Sequence, residues 1–214
     1  MIFWEKILWE GESPYSGKIR VVESFGVRRS IVDGLTQSRN IPESGKTGFY
    51  WDSFVENLPA ISKNSKILIL GLGGGTSAKL FINKFGSVSI DGVEIDKKII
   101  DIGKKFFYLR DPNIKIHQRD AYKFVSEAKD KYDVICVDVF KGSKIPAFVE
   151  SILFLQNVRK LLKEGGVVIV NKICEDEIED RKFVESLSGV FREIKVSRER
   201  GSNYQQNVIV YAKN

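Results

Sequence analysis

The order of apolar and polar positions divides the chain into two parts. From Ile61 onward, short apolar runs alternate with amphipathic segments at helical spacing, which is the pattern of a parallel sheet covered by helices on both faces. Residues 1–60 instead contain strand-like segments separated by turns, Lys18–Glu23 and Val27–Val32. We therefore predict a small N-terminal β-hairpin unit with a linking helix over residues 1–60 and a Rossmann-like domain over residues 61–214.

The second part contains five apolar runs, each followed by a helical pattern. Its last two strands follow one another without a helix and must therefore be antiparallel. This arrangement predicts the doubly wound seven-stranded α/β sheet of the methyltransferase type rather than a six-stranded dehydrogenase sheet. The predicted strands are 67–70, 88–93, 114–117, 132–137, 167–170, 191–197 and 207–211, and the predicted helices are 50–58, 76–85, 96–106, 121–128, 147–162 (capped by Gly165 and Gly166) and 176–187.

The first of these strands runs directly into a glycine-rich turn, ILILGLGGGTS. Glycine allows a backbone to turn sharply and to approach a ligand, because no Cβ stands in the way. Thr76 replaces the third glycine of the dinucleotide pattern G-x-G-x-x-G, so the turn alone would also suit a ligand-free connection. The predicted cofactor contacts in the turn are Gly71, Gly73, Gly74 and Gly75.

Three carboxylates follow strands of the predicted sheet. Glu94 lies about 20 positions after the glycine turn, where a carboxylate can accept both ribose hydroxyls, and Asp120 and Asp138 follow later strands. Each could simply cap a helix or a loop. Ligands of open α/β sheets bind at the carboxyl ends of the strands, so the three together predict a nucleoside-cofactor site.

Composition restricts the partners, the cellular compartment and the cysteine chemistry that the protein can have. The net charge of +6 comes from 34 basic and 28 acidic residues that are interspersed, which favours a solubilising surface; nucleic acid binding has no further support. No apolar run reaches bilayer length and the N-terminus lacks the layout of a secretory signal, so we expect a cytoplasmic protein without a membrane partner. Cys136 and Cys174 fit no metal or disulfide pattern, and we expect reduced thiols and no metal site.

These segments resemble the spermidine-synthase fold group of S-adenosylmethionine (AdoMet)-utilising transferases. The resemblance rests on the glycine run, VEID, the pair Asp120–Ala121, YDVICVD and LLKEGGVVIV, together with the N-terminal hairpin, and it spans nearly the whole chain. It implies that AdoMet or decarboxylated AdoMet is the cofactor, with Glu94 on the ribose and Asp120 on the adenine amino group. The implied nucleoside contacts also include Gln37, Ile95, Ala121 and the glycine turn.

The group contains methyltransferases and aminopropyltransferases, and the chain departs from the aminopropyltransferase pattern. Thr76 stands where that pattern has an aspartate, and Lys141 and Gly142 replace an acidic residue and a proline. A lysine beside a dicationic polyamine costs about 1 kcal/mol or more. We therefore predict an AdoMet-dependent methyltransferase with a small-molecule or protein acceptor. The alternatives are a polyamine aminopropyltransferase using decarboxylated AdoMet and a non-catalytic nucleoside binder.

Asp138 is the predicted catalytic residue, because methyl transfer needs a group that removes a proton or orients the acceptor. The alternative is that Asp138 only caps its loop and orders the amino acid end of the cofactor. Tyr50 and Trp51 are predicted to wall the acceptor pocket, although their spacing also suits a core helix, and His117 is expected to be structural. Residues 1–60 are expected to form one wall of this pocket, and their hairpin edge to allow a homodimer contact.

Overall fold

The computed structural model describes residues 4–142, 144–174, 176–201 and 206–214. They form a four-stranded sheet and a seven-stranded sheet, connected through a short helix. The predicted fold class is confirmed. The predicted turn at 201–203 lies largely outside the described residues.

The N-terminal sheet is an antiparallel meander in the order β1-β2-β3-β4. Its strands are β1 (Lys6–Ser13), β2 (Gly17–Ser24), β3 (Val27–Val32) and β4 (Leu35–Arg39). The sequence predicted the two central strands, whereas β1 and β4 were missed. Both contain charged or polar residues at positions where a simple alternation would place apolar ones.

The large sheet has the order β10-β11-β9-β8-β5-β6-β7. Strands β9, β8, β5, β6 and β7 are mutually parallel, and β11 is antiparallel to both of its neighbours, as predicted for the final pair. The strands are β5 (Lys66–Leu70), β6 (Ser89–Glu94), β7 (Ile114–Gln118), β8 (Tyr132–Val137), β9 (Leu162–Ile173), β10 (Glu193–Arg200) and β11 (Gln206–Lys213).

Six α-helices are described: α1 (Trp51–Glu56), α2 (Thr76–Phe85), α3 (Lys97–Phe106), α4 (Ala121–Glu127), α5 (Ile152–Leu161) and α6 (Glu177–Ser188). The predicted helix 147–162 was wrong in extent. A 3-10 turn occupies Ala147–Glu150, and the extended residue Ser151 caps α5 by accepting from the N–H of Phe154. The predicted glycine cap was also wrong, because β9 begins directly at Leu162.

Apolar residues cover both faces of the large sheet. The four residues of β5 from Ile67 to Leu70 are fully buried, which explains their uninterrupted apolar run. The N-terminal sheet packs Ile19 and Val21 against Ile99 and Ile102 of α3. Among the described residues, no helix is both long and apolar enough to cross a bilayer.

Candidate active site

A cavity of about 470 Å³ opens at the carboxyl ends of β5, β6 and β8, within the size range of small-molecule and cofactor sites. Its wall combines the glycine turn, the N-terminal sheet and the loop after β8. Most of the predicted site residues line it: Gln37, Trp51, Gly71, Gly73, Glu94, Ile95, Asp120, Ala121 and Asp138.

Gly71 and Gly73 are the two glycines of the turn that reach the cavity wall. Both have positive φ values, 85° and 55°. A Cβ at Gly71 would overlap the backbone carbonyl oxygen of Asp138, so this position requires glycine on two grounds. The turn and the loop after β8 are thereby in direct backbone contact.

The other two glycines face the protein instead of the cavity. The N–H of Gly74 donates to Oγ of Ser38, and a Cβ at Gly74 would lie 2.9 Å from that side chain. Gly75 precedes α2 in the left-handed conformation beside Leu109. Packing alone therefore accounts for both glycines, and their contact with a cofactor stays a prediction.

Glu94 connects the glycine turn to the turn that follows β6, at the rim of the cavity. Its Oε2 accepts from the N–H of Gly73 and its Oε1 accepts from the N–H of Asp96, both at 3.0 Å. Burial raises the pKa of Glu94, and these backbone donors oppose the rise. A carboxylate has about four lone-pair sites, so Glu94 keeps acceptor capacity for a ligand that offers neighbouring hydroxyl groups.

Asp120 and Asp96 cap helices, which is the alternative that the sequence left open for Asp120. Asp120 accepts from the N–H of Lys123 at the start of α4 and also lines the cavity, so the cap and the site are compatible. Asp96 accepts from the N–H of Lys98 and from Oγ of Ser16. The second bond holds the β1–β2 turn over the cavity, which sequence reasoning did not foresee.

Asp138 lies at the floor of the cavity among polar partners. Its Oδ1 accepts from Nδ2 of Asn171 at 2.7 Å, and the Tyr50 hydroxyl donates to its Oδ2 at 3.3 Å. Burial raises the pKa of Asp138 to about 6, although the hydrogen bonds from Asn171, Tyr50 and Trp51 favour the charged form. A carboxylate with this pKa is ionised at neutral pH and able to take a proton.

Trp51, Tyr50 and His117, which the sequence analysis also named, differ in their position relative to the cavity. Trp51 lines the cavity, whereas Tyr50 is buried behind it and reaches the site through its hydroxyl. His117 bonds Asp91 at 2.7 Å under Phe124, away from the cavity, in line with a structural role. Within the described ranges, no group of three or more His, Cys, Asp or Glu could hold a metal ion.

The loop after β8 forms another part of the cavity wall. Gln37 of β4 donates to the carbonyl of Gly142 at 3.4 Å, and Lys141 lines the cavity. The backbones of Lys141 and Lys144 pair with one another, which fixes a tight turn in this loop. Lys141 thus adds a cationic residue to the cavity wall, and Arg119 adds another.

Comparison with protein families identifies residues 49–213 as a spermine/spermidine synthase domain. The chain belongs to this family. The resemblance found in the sequence is thereby confirmed.

Curated relatives fall into two activities. A protein of Bifidobacterium longum (strain NCC 2705) described as a probable polyamine aminopropyl transferase is 34% identical over 172 residues, covering 79% of this chain and 38% of the relative. The eEF1A lysine and N-terminal methyltransferase of Xenopus laevis is 33% identical over 139 residues, covering 59% of this chain and 20% of the relative. The chain thus spans well under half the length of these two relatives.

Solved structures show the same division. A probable spermidine synthase from Corynebacterium glutamicum ATCC 13032 superposes with a TM-score of 0.80 over 97% of this chain and 80% of that one, at 21% identity, which shows the fold. Human methyltransferase-like protein 13 in complex with SAH superposes with a TM-score of 0.61 over 70% of this chain and 72% of that one, at 29% identity. The family members are transferases, of aminopropyl or of methyl groups.

Proposed function

We propose that the protein is an AdoMet-dependent methyltransferase of the spermidine-synthase-like group. The cavity supports a nucleoside cofactor because Glu94 offers two adjacent carboxylate oxygens and because Gly71 and Gly73 place no side chain on the wall. Ile95 and Ala121 offer apolar contact for a base beside Asp120. The SAH complex of the human neighbour supports the same cofactor class.

Bound AdoMet supplies an electrophilic methyl carbon on a sulfonium. The protein then has to bring an acceptor atom in line with this carbon and dispose of its proton. Asp138 is the group that would do so, since its carboxylate lies on the cavity floor with a pKa of about 6. Trp51 provides an apolar wall beside it.

The observation that carries the choice of methyl transfer is the charge of the cavity wall. Among the described residues, three carboxylates line the cavity: Glu94, Asp120 and Asp138. Glu94 and Asp120 hold backbone N–H groups on the nucleoside side. Asp138 is therefore left on the acceptor side together with Lys141, which disfavours a dicationic polyamine.

The glycine turn also lacks a carboxylate for the free ammonium of decarboxylated AdoMet. Thr76 stands where the aminopropyltransferase pattern has an aspartate, and its hydroxyl accepts from the backbone N–H of Arg39 and donates to the Arg39 carbonyl. The carboxylate of intact AdoMet could instead be met by backbone N–H groups at the start of α2.

Aminopropyl transfer is the second candidate. The relative with the higher identity and the greater coverage is described as an aminopropyl transferase, so the comparisons favour this reading over methyl transfer. It requires that Asp138 hold the amine despite Lys141. The acceptor is accordingly a polyamine in this case and a small molecule or protein in the first.

Calorimetry with AdoMet and with decarboxylated AdoMet tests the proposal. Tighter binding of intact AdoMet is expected, together with methylated product when acceptors are screened by mass spectrometry. Each cofactor is also incubated with putrescine and with spermidine. Tighter binding of the decarboxylated form and efficient polyamine extension would replace the methyltransferase assignment with the second candidate.

A further inference from the structure

The floor of the cavity continues beyond Asp138 as a row of polar side chains. In the parallel pairing of β8 with β9, Val137 lies beside Val170, so the next residues, Asp138 and Asn171, lie side by side. In the antiparallel pairing of β9 with β11, Asn171 lies opposite Ile209. Asn207 is then its diagonal neighbour on the same face of the sheet.

The row consists of Asp138, Asn171 and Asn207, and these polar residues stand where the same face of the sheet is otherwise apolar. One step inward on the same face are Cys136, Ile169 and Ile209, all fully buried in the core beneath α1. Asn171 and Asn207 are only 1% and 3% exposed. Buried amides are costly unless they are hydrogen-bonded, so their presence needs a reason beyond packing.

The hydrogen bonds of the row have a fixed direction. An ionised carboxylate only accepts, so Asn171 must present its NH₂ group to Oδ1 of Asp138, at 2.7 Å. The carbonyl oxygen of Asn171 then points the other way and accepts from Nδ2 of Asn207, also at 2.7 Å. The Asp138 carboxylate and the Asn207 donor therefore favour the same orientation of the Asn171 amide.

We propose that Asn171, held in this orientation by Asn207, is a positioning residue for Asp138. Its NH₂ group keeps Oδ1 of Asp138 engaged in a hydrogen bond. Oδ2, beside the Tyr50 hydroxyl, is then the oxygen that receives the proton of the substrate to be methylated. The inference rests on the proposed function in treating Asp138 as the group that acts on the acceptor. The orientation of Asp138 itself is a property of the free protein and can be measured without any substrate.

The direction of the row makes a specific change informative. Asn207→Asp replaces the donor that meets Asn171 with an acceptor of nearly the same shape. The NH₂ group of Asn171 can then face only one of the two carboxylates, and whenever it faces position 207 its carbonyl oxygen faces Asp138. An oxygen facing Oδ1 disfavours the ionised carboxylate, so the pKa of Asp138 rises above its value of about 6.

The surroundings of Asp138 leave this titration readable. Burial raises the pKa of both the Tyr50 hydroxyl and the Cys136 thiol, so neither loses its proton between about pH 5 and 8. Lys141 and Glu94 line the same cavity and are present in every variant. Asn83→Asp, on the exposed surface of α2, controls for the net charge of the protein, and Asn207→Ala separates the loss of the donor from the charge added near Asp138.

The experiment follows the aspartate carboxyl carbons by ¹³C NMR as a function of pH, with the Asp138 signal assigned from its loss in Asp138→Asn. We expect Asn207→Asp to raise the titration midpoint of Asp138 by about one pH unit or more, and Asn83→Asp to leave it unchanged. Asn207→Ala, which removes the donor without adding a charge, should shift it in the same direction by less. Far-UV circular dichroism of each variant checks the fold.

A wild-type midpoint in a folded Asn207→Asp or Asn207→Ala protein overturns the inference. In the enzymatic readout, the acidic limb of the kcat/KM profile should move upward with the midpoint, whereas the KM for AdoMet stays the same. A shifted midpoint in a protein that transfers no group from AdoMet would leave the positioning role intact and count against the proposed function alone.

Discussion

Oγ of Ser38, on the last strand of the N-terminal sheet, accepts a hydrogen bond from the backbone N–H of Gly74 at 2.6 Å. The same hydroxyl donates to the carbonyl of Gln37 at 2.7 Å. The glycine turn is therefore held from outside the large sheet. The N-terminal sheet therefore supports the glycine turn and also contributes residues to the cavity wall.

Ser38→Ala should weaken the site through this bond. It leaves the buried N–H of Gly74 without its partner, which costs about 1–3 kcal/mol of unfolding free energy, and the loosened turn should lower the affinity for AdoMet.

Ser30 is the matched control. It lies opposite Ser38 on β3, and its buried Oγ has no partner among the described residues. Ser30→Ala removes no hydrogen bond, so it should not lower the free energy of unfolding measured in urea. Equal losses in both variants would contradict this role.

The glycine turn also has a strict steric requirement at one position. Gly71→Ala places a Cβ on the carbonyl of Asp138 at a positive φ, and we expect a loss of more than about 3 kcal/mol or failure to fold. Gly165 has a similar φ, 71°, with no atom near its missing Cβ. Gly165→Ala should therefore cost only the conformational strain of about 1–2 kcal/mol. Similar unfolding midpoints for the two variants would show that the overlap at Gly71 is relieved by movement of the loop.

The sequence predicted the elements whose signals are local. The apolar run of β5, the glycine turn and the paired antiparallel strands β10 and β11 can each be identified from neighbouring positions. The strand β4 cannot, because LTQSR has no apolar alternation. Its Ser38 and Arg39 become buried through bonds to Gly74 and Thr76, residues far away in the sequence.

The same distinction separates the predicted and the missed site residues. Asp138 follows an apolar strand and was found from that position. Asn171 lies within β9 directly after the apolar run VVIV, and this position was a usable signal. Its importance depends on Asn207, which is joined to it only by the pairing of β11 with β9. The bond from Ser16 to Asp96 likewise connects the two sheets and has no local signature.

The raised pKa of Asp138 predicts a conflict between activity and stability. Its ordinary value is 3.8 and burial raises it to about 6, so the ionised form is disfavoured in the folded state. Below the ordinary pKa, both states hold the proton and the cost is absent. As the pH rises through 6 the cost becomes complete, and a pKa difference of this size corresponds to about 3 kcal/mol.

Asp138→Asn should therefore be more stable than the wild type at pH 7.5 by up to about 3 kcal/mol and nearly equal to it at pH 4, while transferase activity is lost. Urea unfolding at the two pH values measures this. Asp101→Asn, which removes a partner of an exposed ion pair with Lys97, is the control and should change stability by less than about 1 kcal/mol at either pH. A stabilisation independent of pH would show that burial does not disfavour the ionised form of the Asp138 carboxylate.

Lys141 provides a test of acceptor selectivity by charge reversal. It lines the cavity on the same wall as Asp138, whereas its backbone partner Lys144 is exposed on the same turn and does not line the cavity. Lys141→Glu removes a repulsive charge and adds an attractive one near the acceptor side. At an effective dielectric near 20 and after solvent screening, we expect about a tenfold gain in affinity for putrescine or spermidine.

Lys144→Glu makes the same change in net charge and should give at most a small gain, which is reduced further by salt. Calorimetry with both amines, in low and moderate salt, compares the two variants. Equal gains would assign the effect to the overall field of the protein, and tight polyamine binding by the unmodified chain would show that Lys141 does not exclude these acceptors.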